Sequence, residues 1–374
     1  MNNPSRRLAA LGLAAILIVG VGFAIFQSVS QHLGPTAVTL RGLIGSEKQP
    51  FFSDPQVVAA LHRGGFDVIV ATAGSRQIAT ADLSNEDFAF PAGGPSAAEI
   101  ALNHSGTTSI VPFYTPMAIA TFQPIVDLLT QAGVVTQQPG YLGFDMTKYM
   151  ALVASDKRWI DLPGNTTYPV NKSILITSTD VRKSNSAAMY LAIASYVVNG
   201  DNIVQNNGDI DSIVQQTAPL FLKQGFVESS TEEPFDDYLV QGMGKSPLVM
   251  IYEAQYVAAA ASTTGGITSQ MRLMYPEPTI FSKHTFVGLT PDGTRLGNFI
   301  ATDPEMRTLA TQYGFRTSDT AAFSTFVTNH GLTIPDSLND VIDPPSYEAL
   351  EAMITQFEGL YAGSLPTLSP SETP

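Results

Sequence analysis

The chain has 374 residues, 44% of them hydrophobic and only 14% charged, with 19 Lys and Arg against 33 Asp and Glu for a formal charge of −14. That length predicts two domains, the hydrophobic share excludes global disorder, and the acidic balance argues against a nucleic-acid partner, because a phosphate backbone is held by surplus Lys and Arg. Cysteine is absent, so a disulfide scaffold, a Cys-ligated zinc, an iron–sulfur cluster, a thiol nucleophile and a lipid anchor on an N-terminal cysteine are excluded together.

Arg6 and Arg7 precede an uncharged apolar run over residues 8–26. As a helix this run reaches roughly 28 Å, close to the hydrocarbon core of a bilayer. A cleaved secretory signal has a shorter apolar region and ends at a small-x-small site, and the best candidate here, Ser28-Val29-Ser30, is poor. The expectation is a single-pass transmembrane signal anchor at 8–26, with residues 1–7 cytoplasmic and the bulk of the chain extracytoplasmic. Secretion after cleavage is the alternative.

Beyond the anchor, strand-like apolar runs alternate with helical patterns, the mark of an α/β fold built from βαβ units. Strand 37–44 ends at Gly45-Ser46-Glu47-Lys48, and a helix from about residue 54 carries Val57, Val58 and Leu61 on one face before Gly64-Gly65. Strand 66–72 leads through Gly74-Ser75-Arg76 to a short helix, and strand 87–91 through Gly93-Gly94-Pro95-Ser96 to another. The stretch 109–121 is strand-like but holds Pro112 and Pro116, so it reads as a chain leaving one sheet for another. Helices follow at 122–132 and from 145, with a turn at Trp159, then a strand at 173–177, a polar loop at 178–186, an apolar helix at 187–198 and an amphipathic helix at 209–225. A strand at 247–252 and a helix at 254–261 precede the proline-rich 275–279 and a strand at 285–289. The remainder to about 361 is helical, and the Ser, Thr and Pro-rich tail 364–374 is expected to be disordered.

The proline-marked crossings near 109–117 and 275–284 divide the chain into an outer lobe, 38–110 plus 285–362, and an inner lobe, 115–275. Two crossings between α/β lobes make a hinge, and ligands favour the crevice at the carboxyl ends of strands. Four segments in this order, "TLRGLIGSEKQPFF", "FYTPMAIAT", "ILITSTDVRKSNSAAMYLAIAS" and "MYPEPTIFSKHTFVGL", resemble the type II periplasmic and extracellular solute-binding proteins, in the branch of molybdate- and phosphate-type binders. The resemblance covers most of residues 38–362. It implies a two-lobed type II periplasmic-binding-protein-like α/β fold with two chain crossings, behind the N-terminal transmembrane helix. It also implies that Thr115-Pro116 enters the second lobe, that loop 178–186 supplies ligand hydrogen bonds, and that the partner is a transporter permease with its ATPase or another envelope protein. The chain departs from the family in having no lipid anchor, an Ala-rich helix before the return, and no ligand-specific signature.

Hydroxyl-bearing loops at helix starts carry the physical case for binding. Unpaired N–H groups and the positive end of the helix dipole hold an anion or a polar oxygen there. Ser46, Ser75, Ser96, Ser178, Ser184, Asn185 and Ser186 fit that description, although each also fits plain N-capping. Arg76 and Arg182 are the cations beside these loops, with the bidentate geometry that suits a carboxylate or oxyanion. Glu47 with Lys48, and Tyr252 with Glu253, stand at strand ends where each pair lines the cleft or faces solvent, while Thr115, Tyr275 and Ser282 mark the crossings.

No cofactor is implied. Gly242-Met243-Gly244-Lys245-Ser246 ends like a phosphate-binding loop, but Leu239 stands where its first glycine belongs and a strand follows. Ser96 in Gly94-Pro95-Ser96-Ala97-Ala98 needs a histidine among His104, His284 and His330 to act as a nucleophile. The five histidines form no pair at metal-ligand spacing. Glu232-Glu233 and Asp236-Asp237 make an acidic patch able to attract a cation, or a solvated loop. The expected function is extracytoplasmic capture of a small polar solute, with an oxyanion and a sugar or peptide-like ligand both open, for a membrane transporter. The rival is an anchored scaffold or sensor that keeps the bilobal fold without transport, and a serine hydrolase at Ser96 is a third reading.

Overall fold

The computed structural model describes residues 37–206, 208–225 and 228–364. The apolar run 8–26 and residues 365–374 of the expected disordered tail lie outside the described residues. Among those described, no helix is long and apolar enough to cross a membrane.

The outer lobe opens with β1 (Val38–Ile44), α1 (Gln49–Ser53), α2 (Pro55–Arg63), β2 (Phe66–Thr72), α3 (Ser75–Thr80), β3 (Phe88–Phe90) and α4 (Gly94–Asn103). β4 (Thr108–Phe122) leads into α5 (Gln123–Gln131), the hairpin β5 (Val135–Gln138) and β6 (Tyr141–Asp145), α6 (Met146–Ala154), α7 (Asn185–Val198), α8 (Ile210–Leu222) and α9 (Glu232–Gln241). β7 (Leu248–Tyr252), α10 (Glu253–Ala261) and β8 (Met271–Glu277) complete the inner lobe. The chain returns through β9 (Thr279–Gly288) to α11 (Pro291–Thr302), α12 (Pro304–Gln312), α13 (Thr320–Asn329), β10 (Val341–Ile342) and α14 (Tyr347–Ser364).

The result is a two-domain α/β fold on a mixed sheet, ordered β2-β1-β3-β9-β4-β8-β6-β5, with β7 also paired to β4. β1 runs parallel to both β2 and β3, which sets the loops after all three strands at one edge. Local chemistry explains the helix starts. Asp54 accepts from the Gln56 N–H at 2.6 Å ahead of Pro55, a cap followed by a residue pre-set for the first turn. Val57 and Leu61 of α2 are buried as expected, but Val58 faces solvent and Ala60 takes its place in the core.

β4 is a single strand that serves both lobes. Its first part pairs antiparallel with β9, ending at Pro116 opposite Phe281. From Met117 onward it pairs with β7, and from Ile119 with β8 on its other edge. The two prolines are tolerated because Pro112 falls where the register shifts between Ile110 and Phe113, and Pro116 where the partner strand changes. The return is made at the cis Glu277–Pro278 peptide.

Several expectations are corrected. Residues 173–177 form no strand ladder, only bridges from Ser173 to Arg158 and from Thr177 to Val249, because the Ile176 N–H is taken by the buried Tyr149 hydroxyl at 3.0 Å. The acidic patch at 232–237 is helical, as α9, with Pro234 in its first turn and Phe235 and Tyr238 buried. The hairpin β5–β6 was not foreseen. α14, expected with the outer lobe, packs Leu350, Met353, Ile354 and Phe357 into the inner core, where the Phe357 ring lies 5.2 Å from that of Phe221.

Candidate functional site

The edge where β1, β2 and β3 end faces the start of α7 from the inner lobe. Ser75 accepts from the Ala92 N–H at 2.9 Å, and Ser282 donates to the Ala92 carbonyl at 2.6 Å. Asn185, the first residue of α7, donates to the Ser282 hydroxyl at 3.3 Å and the Tyr252 hydroxyl at 3.0 Å. Ser186 bonds Ser184 at 2.9 Å and Thr179 at 3.1 Å. The approach is close enough that a Cβ on Gly74 would overlap the Lys183 carbonyl oxygen, and one on Gly93 the Asn185 amide oxygen. Between Ser75, Ser96, Ser184, Asn185 and α14 only about 20 Å³ is left, roughly room for one water.

Beside this closed seam lies a cavity of about 680 Å³ with walls from both lobes. Glu47, Pro50, Tyr313 and Phe315 come from the outer lobe, Glu232, Tyr252 and Gln255 from the inner lobe, and Phe326 and His330 from α13 and its end. The Glu47 side chain is 12% exposed and rests on two fully buried partners, ion-paired with Lys48 and 3.4 Å from His284 Nδ1. Lys48 Nζ is 3.2 Å from the same nitrogen and 4.8 Å from the centre of the Phe90 ring. Burial alone would raise the Glu47 carboxyl, but the Lys48 charge and the His284 contact hold it well below the usual carboxylate range. Burial and then the Lys48 charge lower His284 to about 4. Across the cavity the Glu232 carboxyl is raised, first by burial and next by Glu47.

No family model matches the chain, and no curated protein matches it. Solved structures match its fold. A Bordetella parapertussis structure described as an extracellular solute-binding protein superposes with a TM-score of 0.53 at 12% identity, over 87% of this chain and 98% of that one. Iron-bound HitA from Pseudomonas aeruginosa gives 0.51 at 11% identity, over 87% and 99%, and a periplasmic thiamin binding protein 0.51 at 12%, over 88% and 99%. The chain has the type II periplasmic solute-binding fold.

Within that solute-binding fold, the residues expected to bind ligand divide into three groups. Glu47 and Tyr252 reach the cavity, with Ser46 beside Glu47 in the same 3-10 turn. Ser75, Ser96, Ser184, Asn185, Ser186 and Ser282 meet at the seam, where all but Ser96 bond protein partners. The rest do not line the large cavity. Arg76 donates from Nε to Glu351 at 2.7 Å and from Nη1 to Glu358 at 2.7 Å and the Arg182 carbonyl at 3.2 Å. Arg182 is held by Asp180 at 2.8 and 2.7 Å and lies 4.2 Å over the Tyr361 ring. Ser178 lines a separate groove with Trp159 and Gln224 on the inner lobe.

Glu253 is not among the residues that line the cavity. It is fully buried and accepts from Arg316 Nε at 2.7 Å and Nη2 at 2.8 Å, and from the Tyr275 hydroxyl at 2.5 Å. Thr115 Oγ1 accepts the neighbouring Ala254 N–H at 3.0 Å. These groups pin the crossing: Tyr275 and Glu253 belong to the inner lobe, while Arg316 bridges Tyr114 on the outer part of β4 and donates to the Pro335 and Asp336 carbonyls. Ser96 has no histidine bonded to it among the described residues; Nδ1 of His104 meets the Ile100 carbonyl at 3.0 Å, Nδ1 of His330 the Phe326 carbonyl at 2.8 Å, and Nδ1 of His284 contacts Lys48 and Glu47. The hydrolase reading has no catalytic partner there.

Arg316, His284, Tyr313, Phe315 and Phe326 were missed as members of these clusters. Each comes from a segment remote in sequence from its partners, and only the acid patch at Glu232 left a signal.

Proposed function

We propose that the protein is an extracytoplasmic solute-binding protein that closes two lobes over a small polar solute and presents it to a membrane transporter. The observation that carries this reading is the cavity of about 680 Å³ walled by Glu47 and Tyr313 on one lobe and Glu232 and Tyr252 on the other. Its volume suits a small-molecule site, and its walls would separate if the lobes opened about β4 and β9. Binding would then shift an open–closed equilibrium by the solute's differential affinity for the closed form. An oxyanion has little support here, since both arginines at the seam are in internal ion pairs. In this reading residues 8–26 tether the chain, with the lobes outside the cell membrane.

A thermal-shift screen of the full-length protein against amines, amino acids, sugars, short peptides and oxyanions tests the proposal. A true solute at a hundredfold excess over Kd adds about 2.7 kcal/mol of stability. A flat response to every class would refute it.

One observation favours a second reading, an anchored scaffold or sensor. The loops at 74–76, 93–96 and 184–186 seal against one another, and Arg76 is locked to Glu351 and Glu358 of α14. A lobe pair that never opens would show the flat response.

A further inference from the structure

Resting on the solute-binding reading, we infer that the interlobe cavity takes an organic ammonium ion, a small amine or quaternary ammonium compound with an apolar body. The argument begins with charge. No Lys or Arg lines the cavity, whereas two carboxylates, Glu47 and Glu232, face it from opposite lobes. Lys48 balances Glu47 from behind, and both that contact and the His284 contact use Oε1; Oε2 accepts no hydrogen bond among the described residues. Glu232 has no ion-pair partner among the described residues, and Glu233 and Asp236 beside it add only negative charge. An anion entering here would meet uncompensated carboxylate, and a cation would supply what is missing.

The remaining walls decide what kind of cation. Tyr252, Tyr313, Phe315 and Phe326 line the space together with small apolar and neutral polar side chains, and aromatic rings attract ammonium groups, most strongly where water is displaced. No group of three or more His, Cys, Asp or Glu among the described residues is arranged to hold a metal ion, and a cavity of about 680 Å³ is far larger than a bare ion fills. An alkylammonium group between Glu232 and Glu47, with its carbon body against the rings, satisfies both kinds of wall. The net charge of −14 also draws cations toward the protein from a distance.

The test is isothermal titration of the full-length protein with tetramethylammonium, choline and putrescine, against sulfate, glutamate and glucose. The expected result is saturable binding of at least one ammonium probe and none of sulfate. Glu232→Gln should weaken it about tenfold, as loss of a charge-assisted contact does, without lowering the unliganded Tm, because this side chain makes no ion pair among the described residues. Phe326→Leu, which keeps an apolar wall and removes a ring, should weaken the quaternary probes most. Binding of sulfate, glutamate or glucose unaffected by Glu232→Gln would overturn the cation assignment and leave solute binding standing. No heat from any of the six overturns this inference; a hit elsewhere in the wider thermal screen would then keep the solute-binding reading alive, and silence there would end both.

Discussion

The pin at the crossing makes a sharp energetic prediction. Glu253 is fully buried and Arg316 is 5% exposed, and they share two charge-assisted hydrogen bonds of 2.7 and 2.8 Å. The Glu253 charge keeps the Arg316 guanidinium protonated against the opposing effect of burial, and its ring neighbour Phe323 lies 4.7 Å away. Removing one charge leaves the other buried and uncompensated, which costs about 3–5 kcal/mol. Glu253→Gln should sit near the lower end, about 3 kcal/mol, because the amide oxygen still accepts one guanidinium N–H. At about 2–4 °C per kcal/mol for a domain of this size, the loss is roughly 6–12 °C in Tm. Arg316→Met strands the Glu253 carboxylate and should cost as much or more. The double variant should cost clearly less than the sum of the two, since neither ion is then left alone. Thermal unfolding of the four proteins in a double-mutant cycle measures this coupling. Single variants within 1 °C of the parent, or additive losses, would refute the idea that this pair ties inner to outer lobe.

Three further outcomes follow from the contacts. Gly74→Ala places a methyl on the Lys183 carbonyl oxygen across the seam, so it should shift the protein toward the open form; a larger radius of gyration by small-angle scattering checks this, and an unchanged one contradicts it. His284 is lowered to about 4 from an ordinary 6.5, so the unfolded chain binds a proton below pH 6.5 that the folded chain refuses. The stability His284 contributes is therefore full above pH 6.5 and lost as pH falls toward 4, by about 3 kcal/mol in all, and His284→Gln should flatten that part of the denaturation-versus-pH curve. Arg76→Ala frees Glu351 and Glu358 on α14; with Arg76 27% exposed the stability loss should be about 1 kcal/mol, and amide exchange in α14 should quicken, whereas unchanged exchange would show that the pair does not hold the helix.

The α/β class and the order of most elements were legible because they rest on local signals. Apolar runs of strand length, Gly-containing loops and the Asp54-Pro55 start each act within a few residues. The prolines at 112 and 116 marked the lobe change correctly in kind, since proline tolerates a bulge or a change of partner better than a regular ladder. The site was only partly legible. Glu47 and Tyr252 follow strand ends, where cleft residues are expected, and both reach the cavity. The arginines misled because their partners, Glu351 and Glu358 for Arg76, lie some 280 residues away on a helix whose packing against the inner lobe no local pattern announces. Glu253 misled for the same reason: Arg316 neutralises it from 63 residues downstream. Ser75, Ser96, Ser184, Ser186 and Ser282 meet at the seam while Ser46 and Ser178 stand apart, and hydrogen bonds to protein are as available to hydroxyls as bonds to a ligand.

The central claim is that two lobes close over a solute, and the absence of cysteine allows it to be tested by distance. Val58 on α2 of the outer lobe and Ile160 on the inner lobe are each 51% exposed and stand outside the cavity walls, so Val58→Cys and Ile160→Cys give two unique spin-label sites. Pulsed electron resonance on the full-length protein should show a longer interlobe distance without solute and a shift to a shorter, narrower one with whichever solute raises Tm. A single distance that stays the same with and without every such solute would contradict the account.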